Sequence, residues 1–357
     1  MQSGIKTTSF MLPYLVVGQG IAGLQVAYQL YKRSLPFRVI DRSGMQTASL
    51  TAAGLVNPVT GRRMVKSWRI DELLPVAREI YTELQDLLGP SILQPRTIYR
   101  ALFSPKEVND WQSRTAQDGY DTYLTTQSVT TSLLDTVQDY EQIVRINQAL
   151  QIDLVELLLN WKKKLDEENL LIEANFDFSQ LQVSECGIDH AGEMYSHVIF
   201  CEGSGVLQNP YFGHLPWRPA KGEALIVRLH DYALHDIVKH KVFIAPLGDD
   251  TYWIGATLHN RFDTSAPTPS GLQDLLERLR LATPSRVEVL SHRAALRPAT
   301  KDRRPIIGRH PGHPELVLFN GMGTKGTSLA PFFARQLVDH LVADAPLDPE
   351  VDIRRFW

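Results

Sequence analysis

Three glycines near the start of the chain stand in the spacing G-x-G-x-x-G, after an apolar segment and before a run of helix-forming residues. A strand, a glycine turn and a helix in this order bind the pyrophosphate of a dinucleotide. The first glycine permits the tight turn, the second lets the backbone approach the phosphates, and the third lets the helix pack on the strand. The helix N–H groups and the helix dipole then face the phosphate charge. The residues predicted to contact a dinucleotide here are Gly18, Gly20, Ile21, Ala22 and Gly23.

A carboxylate follows at the distance that such a junction requires. The segment Phe37–Asp41 is predicted to be the second strand, and Asp41 lies roughly 20 residues beyond the glycines, where a carboxylate can accept hydrogen bonds from ribose hydroxyls. We expect Arg42, the next residue, near the adenine edge. The alternative is an ordinary βα unit in which the turn binds nothing and Asp41 only ends a strand.

The composition is that of a soluble globular enzyme. The chain has 357 residues, of which 43% are hydrophobic and 22% charged, and this length fits one large domain or two closely packed ones. Its net charge of −3 argues against a generally cationic surface for nucleic acid, although a local basic patch is compatible with it. No apolar stretch approaches the roughly 20 residues of a membrane span. The segment Met1–Met11 lacks the features of a signal peptide, so we expect a cytoplasmic protein.

The two cysteines, Cys186 and Cys201, have no metal-binding or redox spacing, so we expect no metal site. This sparse cysteine usage suits a reducing compartment. Cys201 ends an apolar run and is predicted to be a buried strand thiol.

Apolar periodicity divides the rest of the chain into helices and strands. The predicted helices are Asp71–Leu88, one that follows the capping residue Ser104, Val155–Leu165, Leu272–Leu281 and Pro331–Val342. The predicted later strands are Leu170–Glu173, Phe176–Val183, Val198–Cys201, Glu223–Leu229, Lys241–Ala245, Thr251–Thr257 and Leu316–Phe319.

Strands that end in glycines occur at the start, middle and end of the chain. This pattern predicts an α/β protein (α+β overall) with a Rossmann-like cofactor domain built from separated segments and a second domain containing an antiparallel sheet. The cofactor domain is predicted to comprise residues 1–84, 150–210 and 291–357, and the substrate-binding domain residues 85–149 and 211–290.

Several motifs recur in an order and spacing that resemble the D-amino-acid-oxidase-like family of FAD-dependent oxidoreductases. The resemblance is strongest to its glycine oxidases and to the FAD oxidase domain of the bifunctional tRNA methylaminomethyl-uridine enzyme, and it is loose only over residues 85–150. Besides the first glycine turn, the motifs are Ser49–Gly54, Val198–Gly203, Lys221–Glu223, Ala245–Gly248, Trp253–Thr257, Leu296–Gly308 and Gly321–Pro331.

The resemblance implies a two-domain fold of the glutathione-reductase type and noncovalent FAD. It places a small-residue segment beside the flavin ring and the C-terminal glycine loop at the flavin pyrimidine edge, where N–H donors and the charge of Lys325 would stabilise the reduced state. The alternative for the small-residue segment Ala52–Gly54 is a surface turn, and the alternative for Lys325 is a solvated lysine. The further cofactor residues implied are Ser49, Ala52, Ala53, Gly54, Gly203, Gly321, Gly323, Thr324, Lys325, Gly326, Thr327 and Ser328.

The family's Arg-Pro pair matches Arg297 and Pro298. The resemblance implies that Arg297 binds the substrate carboxylate through paired N–H donors and so orients a C–H bond next to nitrogen over flavin N5. Arg297 and Lys325 are therefore the predicted catalytic residues. The alternative for Arg297 is an ion pair with Asp302, and His292 is predicted to be structural.

Two departures from the glycine oxidase pattern remove polar anchors for a small amino acid. Phe243 stands where those enzymes have tyrosine, and the arginine of their C-terminal loop is missing near Thr324.

Three functions remain open at this stage: an oxygen-using oxidase of small carboxylate-bearing amines or amino acids, a tRNA-modifying oxidase, and a dehydrogenase with another electron acceptor. The tRNA hypothesis needs a basic rim, for which Arg62, Arg63, Lys66 and Arg69 are the candidates. We otherwise expect a small-molecule substrate, no nucleic acid and no membrane, with the oligomeric state open.

Overall fold

The computed structural model describes residues 12–42, 47–125, 137–184, 187–230, 232 and 235–357. The expectations for residues 1–11 and for Cys186 fall outside these ranges. The helices are α1 (Ile21–Lys32), α2 (Ala48–Thr51), α3 (Ile70–Leu88), α4 (Pro105–Thr115), α5 (Leu154–Glu167), α6 (Pro269–Ala282) and α7 (Gly326–Ala343). Short 3₁₀ helices span Phe178–Gln180, Gly203–Gln208 and Ile353–Phe356.

The described residues up to position 152 contribute seven strands. They are β1 (Tyr14–Val17), β2 (Phe37–Asp41), β3 (Leu55–Val56), β4 (Val59–Thr60), β5 (Val65–Lys66), β6 (Leu93–Leu102) and β7 (Gln142–Ile152). The later strands are β8 (Leu171–Glu173), β9 (Leu181–Ser184), β10 (Gly187–His190), β11 (Glu193–Tyr195), β12 (His197–Phe200), β13 (Ala220–Leu229), β14 (Ile237–Lys239), β15 (Phe243–Gly248), β16 (Thr251–Gly255), β17 (Val287–Arg297), β18 (Ile306–His310) and β19 (His313–Asn320).

One sheet has six strands in the order β18-β19-β12-β1-β2-β8. All its neighbours pair in parallel except β18 and β19. Its central strand β1 is fully buried, because Val16 lies in the core that contains α1 and Leu15 packs on the other face with Ile188 of β10 and Tyr195 of β11. The carboxyl ends of β1, β2, β12 and β19 meet at one edge, which is where ligands bind in parallel sheets.

A second sheet has eight strands in the order β17-β13-β16-β15-β14-β6-β7-β3. Its pairs are antiparallel except for the pair formed by β14 and β6. The face that carries Ala224, Ala245 and Trp253, here called the inner face, joins the main hydrophobic core with α1, α3, α5 and α7. The opposite face carries Leu225 and Ile244 and packs on α6.

The structure therefore has the predicted mixed α/β architecture, with a largely parallel sheet assembled from separated segments. The predicted domain boundaries at 149/150 and 290/291 fall inside β7 and β17, and the eight-stranded sheet also includes β3 from near the N-terminus. The long pairing of β13 with β17 explains why the boundary at 290/291 falls inside a strand, because it keeps residues 287–297 in the sheet.

Most predicted helices form within a few residues of their expected bounds. The hydroxyl of Ser104 accepts a hydrogen bond from Glu107 N, which confirms the capped start of α4. Two expectations were wrong in detail. The final helix begins at Gly326 rather than at Pro331, which lies inside it. The predicted strand from Phe176 is interrupted because Asp177 caps a 3₁₀ turn through Ser179 N.

Candidate functional site

The first glycine turn has the close contacts that its sequence predicts. Gly18 has φ +97°, and a Cβ there would lie 2.8 Å from the carbonyl oxygen of Cys201. A Cβ on Gly23 would lie 1.8 Å from the Gly18 carbonyl oxygen, so only glycine lets α1 pack this closely on the turn. The backbone N–H groups at the start of α1 are thereby fixed at the carboxyl end of β1.

Helix α1 has no side-chain cap of its own because its N-cap residue is Gly20. The hydroxyl of Ser49, from α2, accepts a 3.0 Å hydrogen bond from Ile21 N instead. The first intrahelical bond runs from Leu24 N to Gly20 O. The N–H groups of Ala22 and Gly23 precede it and are the donors that a helix N-terminus offers to an anion.

Asp41 ends β2 beside this turn. Its Oδ1 accepts a 3.0 Å hydrogen bond from Gln19 N, which ties the carboxylate to the glycine loop. Burial raises the pKa of Asp41, and the Gln19 N–H and the charges of Lys162 and Arg42 act in the opposite direction. The carboxylate is thus held at the end of the strand with its second oxygen available to a ligand such as a ribose.

A cavity of about 630 Å³ begins at this turn and extends between the two sheets to the end of β17. This volume lies in the range of small-molecule and cofactor sites. The structure brings fourteen of the predicted site residues to its lining. They are Gly18, Gly20, Ile21, Ala22, Asp41, Arg42, Ser49, Ala52, Gly203, Arg297, Gly323, Thr324, Gly326 and Thr327.

The remaining predicted residues do not line this cavity. They are Gly23, Ala53, Gly54, Gly321, Lys325 and Ser328. Gly54 has φ +69° and packs against the carbonyl of Ile152 on β7. Gly321 has φ +86° and lies against Thr300 and Ile306. These glycines shape the loops rather than the cavity surface.

Lys325 is the N-cap residue of α7, and its N–H donates to the Met322 carbonyl at 3.0 Å. Burial, together with the nearby charges of Arg304 and Arg303, lowers the pKa of its ammonium group. Gly323 N, in the same loop, donates to the Pro298 carbonyl at 3.1 Å. The C-terminal loop is therefore joined by its main chain to the residue that follows Arg297.

The guanidinium of Arg297 lies over Gly222 of β13. A Cβ on Gly222 would be only 2.0 Å from Nη2, and Nη1 donates to the Thr257 carbonyl at 3.2 Å. Burial lowers the pKa of Arg297. Asp302, the alternative partner, instead accepts from Arg304 N and from Arg355. Arg297 therefore presents a desolvated cation at the cavity without an ion pair to Asp302.

On the opposite face of the eight-stranded sheet, Lys221, Glu223 and His292 form a polar cluster with a structural role. Glu223 lies 2.9 Å from Lys221 Nζ and 2.8 Å from His292 Nε2, and it accepts hydrogen bonds from Thr268 N and Oγ1 at the start of α6. The predicted structural role of His292 agrees with this contact. The hydrogen bonds from Thr268 to Glu223 hold the start of α6 against β13 on the face opposite the inner face.

Helix α5 contributes one wall of the cavity, which was not predicted. Leu154, Leu158, Leu159 and Lys162 line the cavity, and Gln19 Nε2 donates to the Leu158 carbonyl. Leu159 is 57% exposed. The helical periodicity predicted α5 correctly, but it carries no information on which helix meets the glycine turn.

Two further lining residues follow β12. Cys201 is buried as predicted, but it lies one residue after β12 and not within the strand; burial raises the pKa of its thiol. Burial raises the pKa of Glu202 to about 7, although the Asn209 side-chain amide donates to it at 2.7 Å.

Among the described residues, no group of three or more His, Cys, Asp or Glu is placed to hold a metal ion. No helix in the same ranges is long and apolar enough to cross a membrane.

Half of the predicted basic rim is neutralised. Lys66 pairs with Asp71 at 2.8 Å, and Arg69 pairs with Glu72 at 2.6 Å and with Asp348. Arg62 and Arg63, in the turn between β4 and β5, are exposed.

The family model described as FAD dependent oxidoreductase (DAO) matches residues 14–340. The bifunctional tRNA 5-methylaminomethyl-2-thiouridine biosynthesis protein MnmC of Marinobacter nauticus is 33% identical over 137 residues, covering 35% of this chain and 22% of that protein. Glycine oxidase of Bacillus subtilis is 29% identical over 170 residues, covering 45% of this chain and 44% of that protein. The chain thus matches less than half the length of either relative.

Among solved structures, glycine oxidase from Geobacillus kaustophilus superimposes with a TM-score of 0.78 at 21% identity, covering 94% of this chain and 96% of that chain. This similarity shows that the two chains share a fold.

Proposed function

The chain belongs to the DAO family of FAD-dependent oxidoreductases, and from this premise we propose that it oxidises the C–N bond of a small amine or amino acid that carries a carboxylate, with hydride delivered to flavin N5. Its cofactor is FAD, bound noncovalently. When bound, FAD supplies the two-electron acceptor of the reaction. Oxygen is the proposed final acceptor.

The cavity fits this cofactor on the chemistry of its own residues. The glycine turn and the start of α1 provide N–H donors for a pyrophosphate, and Asp41 provides an acceptor for a ribose. A ligand across α5 would cover the exposed side chain of Leu159. Gly323, Thr324 and Gly326 line the far end, where they would meet the flavin ring.

The observation that carries the substrate proposal is the desolvated guanidinium of Arg297 over Gly222, unpaired with Asp302. A buried cation of this kind favours an anionic ligand, and two parallel N–H donors fix a carboxylate in one orientation. The role of Arg297 in the reaction is therefore to bind and orient. If the substrate amine binds neutral, no acid or base from the chain is required for hydride loss.

Two hydrogen bonds position α2 at this end of the cavity. The Trp253 indole N–H donates to the Thr51 carbonyl at 2.8 Å, which holds α2 against the inner face of the eight-stranded sheet. Arg293, on the same strand as Arg297, donates to the Leu50 carbonyl at 3.2 Å. These two bonds keep the Ser49–Gly54 segment in place beside the substrate position.

The test uses the FAD-loaded enzyme and a panel of D-amino acids, sarcosine, glycine and cyclic imino acids. We expect at least one of these amines to bleach the flavin absorbance anaerobically and to yield peroxide in air. Arg297→Met should raise the concentration needed for half-maximal bleaching at least about tenfold, because a charge-assisted hydrogen-bond pair is lost. Arg286→Met, at an exposed residue immediately before the same strand, is the matched control. Flavin that no member of the panel reduces would refute the proposal.

The similarity to MnmC supports a second candidate, oxidation of a carboxymethylaminomethyl group on tRNA. Against it, Lys66 and Arg69 are paired with acidic side chains, which leaves Arg62 and Arg63 as the cationic pair of the proposed rim. A salt-sensitive tRNA gel shift that Arg62→Ser/Arg63→Ser weakens would favour this function. Fast dye reduction with slow oxygen turnover would instead favour a dehydrogenase.

A further inference from the structure

We propose that Glu202 must hold a proton for FAD to bind tightly, so that a rise in pH across neutrality weakens the hold of the chain on its cofactor. Glu202 is then a pH-dependent determinant of cofactor affinity. This dependence would hold for any substrate, and in that respect it goes beyond the proposed function. The placement of the Glu202 carboxyl group and the groups around it support this role.

Glu202 lies beside the glycine turn that offers its N–H groups to a pyrophosphate. It follows β12, which pairs in parallel with β1, and Cys201 N donates to the Val17 carbonyl at 2.8 Å. A Cβ on Gly18 would lie 3.6 Å from Glu202 Cα, so the two backbone segments are closely packed. Glu202 is half-buried and lines the cavity together with Gly18 and Gly20. A carboxyl group therefore stands on the wall next to the position proposed for the phosphates.

The neighbouring Asn209 determines which oxygen of this carboxyl group can carry a proton. Asn209 Oδ1 accepts hydrogen bonds from the N–H groups of Tyr211 at 2.9 Å and Phe212 at 3.1 Å. The amide nitrogen therefore faces Glu202, and it donates to Oε2 at 2.7 Å. An amide N–H can only donate, so Oε2 is used as an acceptor and the proton belongs on Oε1.

Glu202 shares the cavity lining with few charged side chains. Within the described residues they are Asp41, Arg42, Lys162 and Arg297. Lys162 pairs with Glu173. Together with Arg42 it also attracts the carboxylate of Asp41. Arg297 lies over Gly222, at the substrate end of the cavity. These cations thus act on groups other than Glu202.

The electrostatics of Glu202 agree with this geometry. Burial raises its pKa to about 7, and the Asn209 amide opposes this shift without reversing it. The adjacent thiol of Cys201 adds no charge near neutral pH, because burial raises its pKa as well. Glu202 therefore changes its charge close to neutral pH, where small changes in its surroundings alter its protonation.

A bound pyrophosphate would disfavour the ionised form of Glu202 further. The pyrophosphate of FAD is anionic, and like charges in a desolvated site repel each other. The protonated carboxyl group carries no charge, and its O–H can donate to an oxygen of the ligand. FAD should therefore raise the pKa of Glu202, and ionisation of Glu202 should weaken FAD binding by the same factor.

The experiment measures FAD release from the holoenzyme. FAD-loaded protein is diluted in buffers of constant ionic strength, and the fluorescence of free FAD gives Kd. Between about pH 6 and about pH 8.5, we expect Kd to rise at least about tenfold, and at most about thirtyfold for a single group with a pKa of about 7. Return to the lower pH should restore binding, and circular dichroism should show the same fold at both values.

The variants assign the effect to its residue. Glu202→Gln has a similar shape and cannot ionise, so its Kd should stay near the low-pH value of the wild type across the whole range. Glu141→Gln is the matched control, because Glu141 is exposed, and it should keep the wild-type profile. Parallel profiles of Glu202→Gln and the wild type would overturn the inference, as would a wild-type Kd that does not change with pH.

Proton uptake gives a second measurement, which decides the question even if Glu202→Gln retains too little FAD to titrate. At about pH 8 the ligand-free site is mostly ionised, so binding of FAD to the full chain should take up nearly one proton. Calorimetric titrations in buffers with different heats of ionisation measure this uptake. FAD binding without proton uptake would show that Glu202 does not need its proton.

The substrate panel separates this inference from the proposed function. If Kd rises with pH but no amine of the panel reduces the flavin, Glu202 has the inferred role and the proposed substrate class is wrong. If an amine reduces the flavin while Kd is independent of pH, the proposed function stands and the role of Glu202 is wrong.

Discussion

The hydroxyl of Tyr81 donates a 2.9 Å hydrogen bond to the carbonyl oxygen of Thr327, in the first turn of α7. That carbonyl would ordinarily accept from the residue four positions later, but this residue is Pro331, which has no N–H. Tyr81 therefore satisfies a buried backbone acceptor from outside the helix and ties α3 to the turn that lines the far end of the cavity.

Tyr81→Phe should lower the free energy of unfolding by about 1–3 kcal/mol, because the Thr327 carbonyl would be buried without a partner. Urea denaturation measures this loss, and FAD retention on a desalting column measures the effect on the cavity. Tyr140→Phe removes a hydroxyl from an exposed tyrosine and is the control. Equal stability of the Tyr81 and Tyr140 variants would contradict the assignment.

Gly23→Ala should abolish FAD binding, since its methyl group would lie 1.8 Å from the Gly18 carbonyl and force α1 away from the turn. The measurement is the ratio of flavin to protein absorbance after purification with excess FAD. Gly312→Ala is the matched control, because its nearest neighbour is His310 at 3.5 Å. Normal flavin content in Gly23→Ala would show that α1 does not need this close approach.

Gly222→Ala should displace the guanidinium of Arg297, whose atoms would lie 2.0–2.4 Å from the added methyl group. We expect KM for a carboxylate-bearing amine to rise about tenfold while kcat changes less, since a binding contact is lost. The flexible arginine can move, so the fold should remain intact, which circular dichroism checks. An unchanged KM would argue that the substrate does not use Arg297.

Glu202 predicts a specific pH dependence of stability. Its pKa of about 7 lies above its ordinary value of 4.5, so between these values the folded state holds a proton that the unfolded state has released. The free energy of unfolding should therefore fall as pH rises from about 4.5 to 7 and then level off.

Glu202→Gln should lose this part of the pH dependence. Glu202 contributes at most about 3 kcal/mol to the change in the free energy of unfolding between low and high pH. Urea denaturation at pH 5 and pH 8 measures the difference between the variant and the wild type. Glu141→Gln, on an exposed residue, is the control for the charge change. Parallel pH profiles of the Glu202 variant and the wild type would refute the prediction.

Sequence reasoning succeeded where the signal is local. Gly18, Gly23 and Asp41 lie within one βαβ unit, so their spacing along the chain already determines their contacts. The role of Gly222 was not predicted, because it depends on Arg297, 75 positions away in a neighbouring strand.

The missed parts of the site come from long-range pairing. The Arg293 guanidinium donates to the Leu50 carbonyl, 243 positions away along the chain, and no periodicity within β17 indicates that partner. Likewise, α5 reaches the glycine turn through the Leu158 carbonyl, a contact of the assembled core. The final helix was predicted to start at Pro331, whereas Tyr81 satisfies the Thr327 carbonyl and so allows this proline inside α7.

The strand order of the six-stranded sheet has a consequence for biosynthesis. Strand β1 lies between β2 and β12, and β12 pairs in turn with β19, which ends at Asn320 of a 357-residue chain. The nascent polypeptide therefore displays its glycine turn on the ribosome long before the neighbours of that turn have been translated. The cavity is therefore complete only after Asn320 and residues of the following loop up to Thr327, which line it, have been translated.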